Sequence, residues 1–322
     1  MAWYFIIPLF LFSCFLLSSV SAIVVDSLAL VARYLKWREF VIAFFIMAFA
    51  FSLPNLFVDT NAVFQGKPDF AVGDIIGGNL VDLTIILALA VFFSKKGLSA
   101  DSDMVQKSAI FTSAIAVLPL LLLWDGKLGR ADGLILIGAF ILYSLWLFSK
   151  KARFKKVYHM QQKHAINDTK SLLKIIAKVV ILLIILLLAS KIVIFSAQFF
   201  AEKLGMPLAL VGIIIMGIGN SLPEAYFSIL AAKKQENWLV LGDLMGSVIV
   251  CSTLVLGLIG LLFPFQINDL SPFVNARFFM IIAALLSWLF ISTNKKITKK
   301  EGILLLFIYI VFLIVEIFIS GR

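Results

Sequence analysis

Ten apolar runs constrain this chain more than any other feature of it. They lie at roughly 2–25, 40–64, 70–94, 106–124, 131–149, 171–201, 207–232, 238–263, 272–293 and 302–320. A helix crosses the hydrocarbon core of a bilayer with about 20 apolar residues. Open sheets are excluded there because their edge amides have no partner, and an outer-membrane barrel alternates apolar with polar residues instead of running unbroken. The composition agrees, with 62% hydrophobic and only 14% charged residues in 322. A soluble protein could not hide that much apolar surface. A soluble enzyme, a disordered chain and a secreted disulfide scaffold are therefore excluded. Cys14 and Cys251 both sit in apolar runs and form neither a disulfide framework nor a zinc pattern.

The formal charge of +10 does not point to nucleic acid, because the basic residues cluster in short loops between the runs. Place the N-terminus outside, and 20 of the 28 Lys and Arg fall on the cytoplasmic side, in Arg33–Arg38, Lys95–Lys107, Lys150–Lys174, Lys233–Lys234 and Lys295–Lys300. The positive-inside rule then puts both termini outside and the 150–170 loop in the cytoplasm of a multi-pass cell-membrane protein. That loop holds His159 and His164 and reads as a solvated basic linker. The first run resembles a signal peptide ending at Val20-Ser21-Ala22, but no basic residue precedes it, so a retained helix is expected.

The chain repeats itself at an offset of 169 residues. Ser52-Leu53-Pro54 recurs as Ser221-Leu222-Pro223, Gly73-Asp74 as Gly242-Asp243, Gly77 as Gly246, Thr84 as Thr253, and Ile46-Met47 as Ile215-Met216. Each copy covers five runs, and five is odd, so the second copy enters the membrane from the opposite side. The expected architecture is an all-α membrane protein of ten transmembrane helices. It forms two inverted five-helix repeats, 1–149 and 171–322, joined by the 150–170 loop, with the repeated segments at 48–90 and 217–259 and helices broken near the midplane. Such inverted repeats are typical of secondary transporters.

The polar interruptions fall inside the repeated segments. Pro54 and Pro223 each remove a backbone donor, freeing carbonyls near Ala48–Phe51 and Gly217–Asn220. Gly73, Gly77 and Gly78, with Gly242 and Gly246, are expected to break the neighbouring span and to let helices approach closely. The intramembrane acids are Asp59, Asp74, Asp82, Glu224, Asp243 and Glu316. An ionisable side chain in lipid is costly, so each is a functional candidate. No basic residue in the repeated spans can pair with them, and a hard cation such as Ca²⁺ or Na⁺ suits carboxylate, hydroxyl, amide and carbonyl oxygens. Asp74 and Asp243 follow glycine and read as N-caps or pocket-rim residues. Asp59 either lines an access path or is solvated near the outer end. Glu316 reads as a residue reaching the interface. Cys251 reads as a small packing residue, since one thiol makes a poor soft-metal site.

These residues resemble the Ca²⁺/cation antiporter superfamily and, within it, prokaryotic sodium/calcium exchangers. Their two motifs look like G-[TN]-S-L-P-E and G-N-x-x-G-S-N-x-x-[ND]. The second copy here reads Gly219-Asn220-Ser221-Leu222-Pro223-Glu224, then Gly242 through Gly246-Ser247 to Cys251. The first reads Ala50-Phe51-Ser52-Leu53-Pro54-Asn55, then Gly73 through Gly77-Gly78-Asn79 to Asp82. The resemblance implies that Glu224 is a direct cation ligand and that Ser52 and Ser221 offer oxygens. It implies that carbonyls of Ala48, Phe51, Gly217 and Asn220 complete the coordination, and that Ser247 and Asp82 hold flanking Na⁺ or water. Asn55 stands where the first motif has glutamate, Gly78 where it has serine, and Cys251 where the second ends in Asn or Asp. The matched pocket then keeps two carboxylates, Asp82 and Glu224, placed diagonally between the copies.

The expected activity is Na⁺/Ca²⁺ antiport by alternating access, with proton-coupled or other cation antiport as the alternative and a membrane enzyme, channel or non-transporting sensor further off. No nucleophile–base pair or phosphate site supports an enzyme. Ca²⁺ and Na⁺ are expected as cargo and not as resident cofactors. The other expected partner is the bilayer, and the chain is expected to act as a monomer.

Overall fold

The computed structural model describes residues 3–34, 52–101, 103–148, 169–293 and 295–320. Its helices are α1 (Trp3–Tyr34), α2 (Ser52–Phe64), α3 (Pro68–Val81), α4 (Leu87–Phe93), α5 (Asp103–Leu122), α6 (Arg130–Phe148) and α7 (Thr169–Leu204). They continue with α8 (Leu208–Leu210), α9 (Gly217–Asn220), α10 (Leu222–Lys233), α11 (Asn237–Ile249), α12 (Leu256–Leu262), α13 (Val274–Thr293) and α14 (Lys299–Ser320). Wider π-helical turns join α3 to α4 (Asp82–Ile86), α8 to α9 (Val211–Met216) and α11 to α12 (Val250–Val255). Among the described residues nine stretches are long and apolar enough to cross a membrane. The run expected at 40–64 is described only from Ser52, where α2 begins. The 150–168 part of the central loop, with both histidines, lies outside the described residues.

α1 is longer than its apolar run indicates, while α7 matches its run within three residues at each end. α1 continues to Tyr34 and α7 runs from Thr169 to Leu204, 36 residues, or about 54 Å of helix. They pack along each other, with Trp3 and Phe10 against Phe199 and Phe200. The inner spans are Pro68–Phe93, Leu208–Lys233 and Leu239–Leu262, whereas the most apolar 18-residue stretch of Leu172–Leu204 has only 17% of its residues buried. Its exposed Leu187 and Leu188 belong against lipid.

The offset of 169 extends beyond the motifs into the backbone. Among the described residues the two non-glycine positions with left-handed φ are Gln235 (60°) and Lys295 (51°). Their counterparts in the first half are Gly66 (75°) and Gly126 (76°), where the missing Cβ makes that conformation inexpensive. Gly133 lies on Gly257, where an added Cβ would stand 2.8 Å from the Gly257 carbonyl oxygen. The counterpart of Gly133 is Gly302, which packs on Val91.

Short antiparallel ladders tie the loops together at the two ends of the bundle. Strand β1 (Leu98–Ser99) pairs with β4 (Lys296–Ile297), and β2 (Lys127–Leu128) with β3 (Phe265–Gln266). At the first end Gln235 also reaches Ser94. At the second, Phe64 packs on Phe263. The N-terminal turn of α1 lies beside the last turns of α7 at this second end. α14 starts beside β4 at the first end and finishes at the second, where its Glu316 meets Asn275.

The expected glycine breaks do not occur. α3 runs without interruption through Gly73, Gly77 and Gly78, and α11 through Gly242 and Gly246. The glycines serve close approach instead. A Cβ on Gly77 would fall 2.1 Å from the Ile213 carbonyl oxygen, one on Gly73 2.4 Å from that of Ala209, and one on Gly217 2.6 Å from the Gly77 carbonyl carbon. α3 and the 208–220 segment therefore cross backbone to backbone, the small-residue packing favoured in membranes. The irregular backbone lies further along, in the π turns, where Thr84 bonds the Leu80 carbonyl and Thr253 the Ile249 carbonyl. Irregular turns of this kind often accompany functional sites in helices.

Candidate cation site

The crossing of α3 with the 208–220 segment brings the two motifs together. The second motif is interrupted at one residue, Ser221, between α9 and α10 (φ −85°, ψ 0°). Pro223 follows in the first turn of α10, where its missing N–H costs nothing. Glu224, Ser221 and Asn220 all lie at this break and are buried. Gly217 sits one turn earlier, on Gly77. Ser52 and Asn55 begin α2. Ala48 and Phe51 lie outside the described residues.

Asp82 opens its π turn within hydrogen-bonding reach of the Ser221 and Ser247 hydroxyls. Glu224 is the electrostatic neighbour of Asp82 and, further off, of Asp243 and Asp74. The structure thus brings Asp82, Ser221, Glu224 and Ser247 together. On the other side, Asn55 Nδ2 donates to Cys251 Sγ at 3.2 Å, with Ser52 also beside the thiol. The two halves are repeat counterparts, since Asn55 corresponds to Glu224, Cys251 to Asp82 and Ser52 to Ser221. One half carries both carboxylates and the other carries none. The diagonal placement read from the sequence is therefore a pairing, because each Ser-Leu-Pro motif packs on the third span of the opposite copy.

Several acids do not behave as their spacing indicates. Asp74 and Asp243 are in the middle of α3 and α11, not at caps. Asp74 Oδ2 accepts a hydrogen bond from Asn220 Nδ2 at 2.8 Å. Asp59 is fully buried, which removes the solvated reading. Glu316 is also buried and accepts from Asn275, so it does not reach toward the interface. Asn79, which the motif reading left without a role, donates to Ser252 at 2.8 Å and locks α3 to the second π turn. Asn61 likewise ties α2 to Ser190 on α7 at 2.8 Å.

The oxygens left without donors mark the site. Around the pocket Ser52 Oγ, Asn55 Oδ1 and one oxygen each of Asp82, Glu224 and Asp243 are buried and unpartnered, and beside it so are both oxygens of Asp59 and one of Asp74. Buried polar atoms normally have partners, and a buried carboxylate without one costs several kcal/mol. A bound cation is one group that can supply the missing positive charge. Among the described residues no three His, Cys, Asp or Glu converge on a metal by themselves. A cation held here would also have to draw on hydroxyl, amide and carbonyl oxygens, a donor set that suits hard ions and not zinc or copper.

The family model described as sodium/calcium exchanger protein matches residues 5–149 and 174–318. The sodium/calcium exchanger MaX1 of Methanosarcina acetivorans is 25% identical, covering 92% of this chain and 93% of that protein. The putative antiporter CaxA of Alkalimonas amylolytica is 28% identical over 87% and 88% of the two chains. Among solved structures, the sodium-calcium exchanger NCX_Mj matches with a TM-score of 0.60 at 24% identity, covering 96% and 97%. The H⁺/Ca²⁺ exchanger CAX matches with a TM-score of 0.75 at 15% identity, covering 96% and 82%. The two structures establish the all-helical membrane-exchanger fold. With matches that take in both halves and most of its length, this multi-pass membrane chain belongs to the sodium/calcium exchanger family.

Proposed function

We propose that this protein is a secondary active cation antiporter that exchanges Ca²⁺ for Na⁺ by alternating access, and is a transporter and not an enzyme. The observation that carries the reading is the group of buried oxygens without donors around Asp82 and Glu224. Glu224, Asp82, Ser221 and Ser247 supply side-chain oxygens to the cation. Ser52, Asn55 and the carbonyls of Ala48, Phe51, Gly217 and Asn220 complete the ligand set. Two carboxylates neutralise one divalent ion, and Ca²⁺ takes about 6–8 oxygens. The ions are cargo, and the chain works as a monomer in the bilayer without a resident cofactor.

The division into two inverted five-helix repeats, 1–149 and 171–322, is supported by the Gly66/Gln235 and Gly126/Lys295 correspondences and by the duplicated family match. It provides two near-equivalent arrangements of one site, one open to each side. The end of the bundle holding β1 and β4 carries Lys95, Lys96, Lys233, Lys234, Lys295 and Lys296. It faces the cytoplasm by the positive-inside rule, and both termini face out.

The neutral Asn55–Cys251 half favours a second reading, in which a proton replaces Na⁺ as the coupling ion, because fewer charged oxygens remain for sodium. Calcium flux into proteoliposomes under separately imposed Na⁺, H⁺ and K⁺ gradients decides between them. The exchange reading expects uptake driven by the Na⁺ gradient. Uptake driven by the H⁺ gradient alone replaces it with the second reading, and calcium flux under no gradient overturns both.

A further inference from the structure

Asp59 and Asp74 form a second carboxyl pair that the calcium pocket does not use. Both side chains are fully buried, and their carboxyl groups lie within hydrogen-bonding distance of each other. Asn220 Nδ2 holds Asp74 Oδ2 at 2.8 Å, while Asp74 Oδ1 and both oxygens of Asp59 have no donor. α2 and α3, which carry the pair, contain no Lys, Arg or His. Two facing carboxylates in a low-dielectric interior repel each other and lack solvation, so one of them keeps a proton or a cation sits between them.

The pair borders the pocket, since Asp59 is an electrostatic neighbour of Cys251 and Asp74 of Glu224, but one ion cannot serve both carboxyl pairs. Asp74 and Asp82 are eight residues apart on one helix, or about 12 Å along its axis, too far for one ion to bridge. Nor does the repeat produce it. The counterpart of Asp74 is Asp243, but the counterpart of Asp59 is Ser228, so the second half has no equivalent pair. The three donor-free oxygens fall well short of the 6–8 that Ca²⁺ takes. A monovalent hard ion, with a proton kept on one of the two carboxyls, suits them better and leaves the pair neutral. Asn220 adjoins Ser221, so the residue steadying this pair is next to the helix break that holds the pocket.

We propose that Asp59 and Asp74, steadied by Asn220, bind a monovalent cation of the Na⁺ class at a site distinct from the Asp82–Glu224 pocket. Its coupling to calcium movement rests on the antiport reading; its occupancy does not.

Equilibrium binding of radioactive sodium to the purified full chain tests it without transport. In an Asp82→Asn/Glu224→Gln background, where both pocket carboxylates are neutral, saturable sodium binding should persist. Adding Asp59→Asn should weaken it at least tenfold. Asp59→Ser, which installs the side chain found at Ser228, serves as the second variant if the amide does not give a monodisperse protein. Unchanged sodium binding after Asp59 is replaced overturns the proposal. Loss of all saturable binding with Asp59 intact also overturns it, as does a pair that exchanges a proton and leaves sodium binding unaltered. Absence of calcium flux in the wild type would sink the antiport reading and leave this binding result standing.

Discussion

Asn55 and Cys251, the two residues that most alter the exchanger motifs, touch each other across the repeat boundary. Their counterparts Glu224 and Asp82 also face each other. The pocket is thus lopsided, with its formal charge gathered on one side. Restoring an acid with Asn55→Glu adds a charge and up to two oxygens, and calcium should bind roughly tenfold more tightly, about 1.4 kcal/mol. Asp82→Asn should weaken binding by a similar factor. Calcium titration of the purified variants should rank them Asn55→Glu, wild type, Asp82→Asn. If Asp82→Asn binds as wild type does, Asp82 is not a ligand. Glu224 and Asp82 were legible in the sequence because an unpaired acid beside a proline or glycine at membrane depth stands out. The burial of Asp59 and the Asn55–Cys251 contact were not legible. Both depend on how α2 seats against the other copy, which neither spacing nor helical periodicity encodes.

At the scale of elements, the glycines of α3 serve packing and not flexibility. Gly77 and Gly78 are adjacent yet meet different surroundings. A Cβ on Gly77 would strike the Ile213 backbone at 2.1 Å, whereas the nearest atom to one on Gly78 is Ser221 Oγ at 3.9 Å. Gly77→Ala should therefore destabilise the protein by at least about 2 kcal/mol and suppress transport. Gly78→Ser should leave thermal stability in detergent within a degree or two of wild type, since its hydroxyl enters space beside Ser221. Equal melting temperatures for the two variants would contradict the close crossing of α3 with the 208–220 segment. Sequence reading placed the irregular backbone at these glycines and missed the π turns beyond them. In lipid a glycine can be retained for helix contact alone, and a π turn leaves no composition signal except a threonine able to bond back to the preceding turn, as Thr84 and Thr253 do.

At the scale of the whole molecule, the ladders sort the loops to two ends. The 94–101, 233–236 and 295–298 segments share one, and the 64–67, 123–129 and 263–271 segments share the other. This sorting was readable beforehand as an alternation of lysine-rich and lysine-poor loops. The additional length of α1 was not, because a helix can continue past its apolar stretch into polar residues. Cys14 and Cys251 are both buried, so single introduced cysteines report orientation cleanly. An impermeant maleimide added to intact cells should label Lys127→Cys and spare Lys96→Cys, and the reverse pattern would invert the orientation. The most direct test of the function is radioactive calcium uptake into sodium-loaded proteoliposomes diluted into sodium-free buffer, comparing wild type with Glu224→Gln. Wild type should accumulate calcium only while sodium runs out, and monodisperse Glu224→Gln protein should stay near the level of protein-free vesicles. Uptake by Glu224→Gln equal to wild type, or wild-type uptake indifferent to the sodium gradient, would contradict sodium-driven calcium exchange through this pocket.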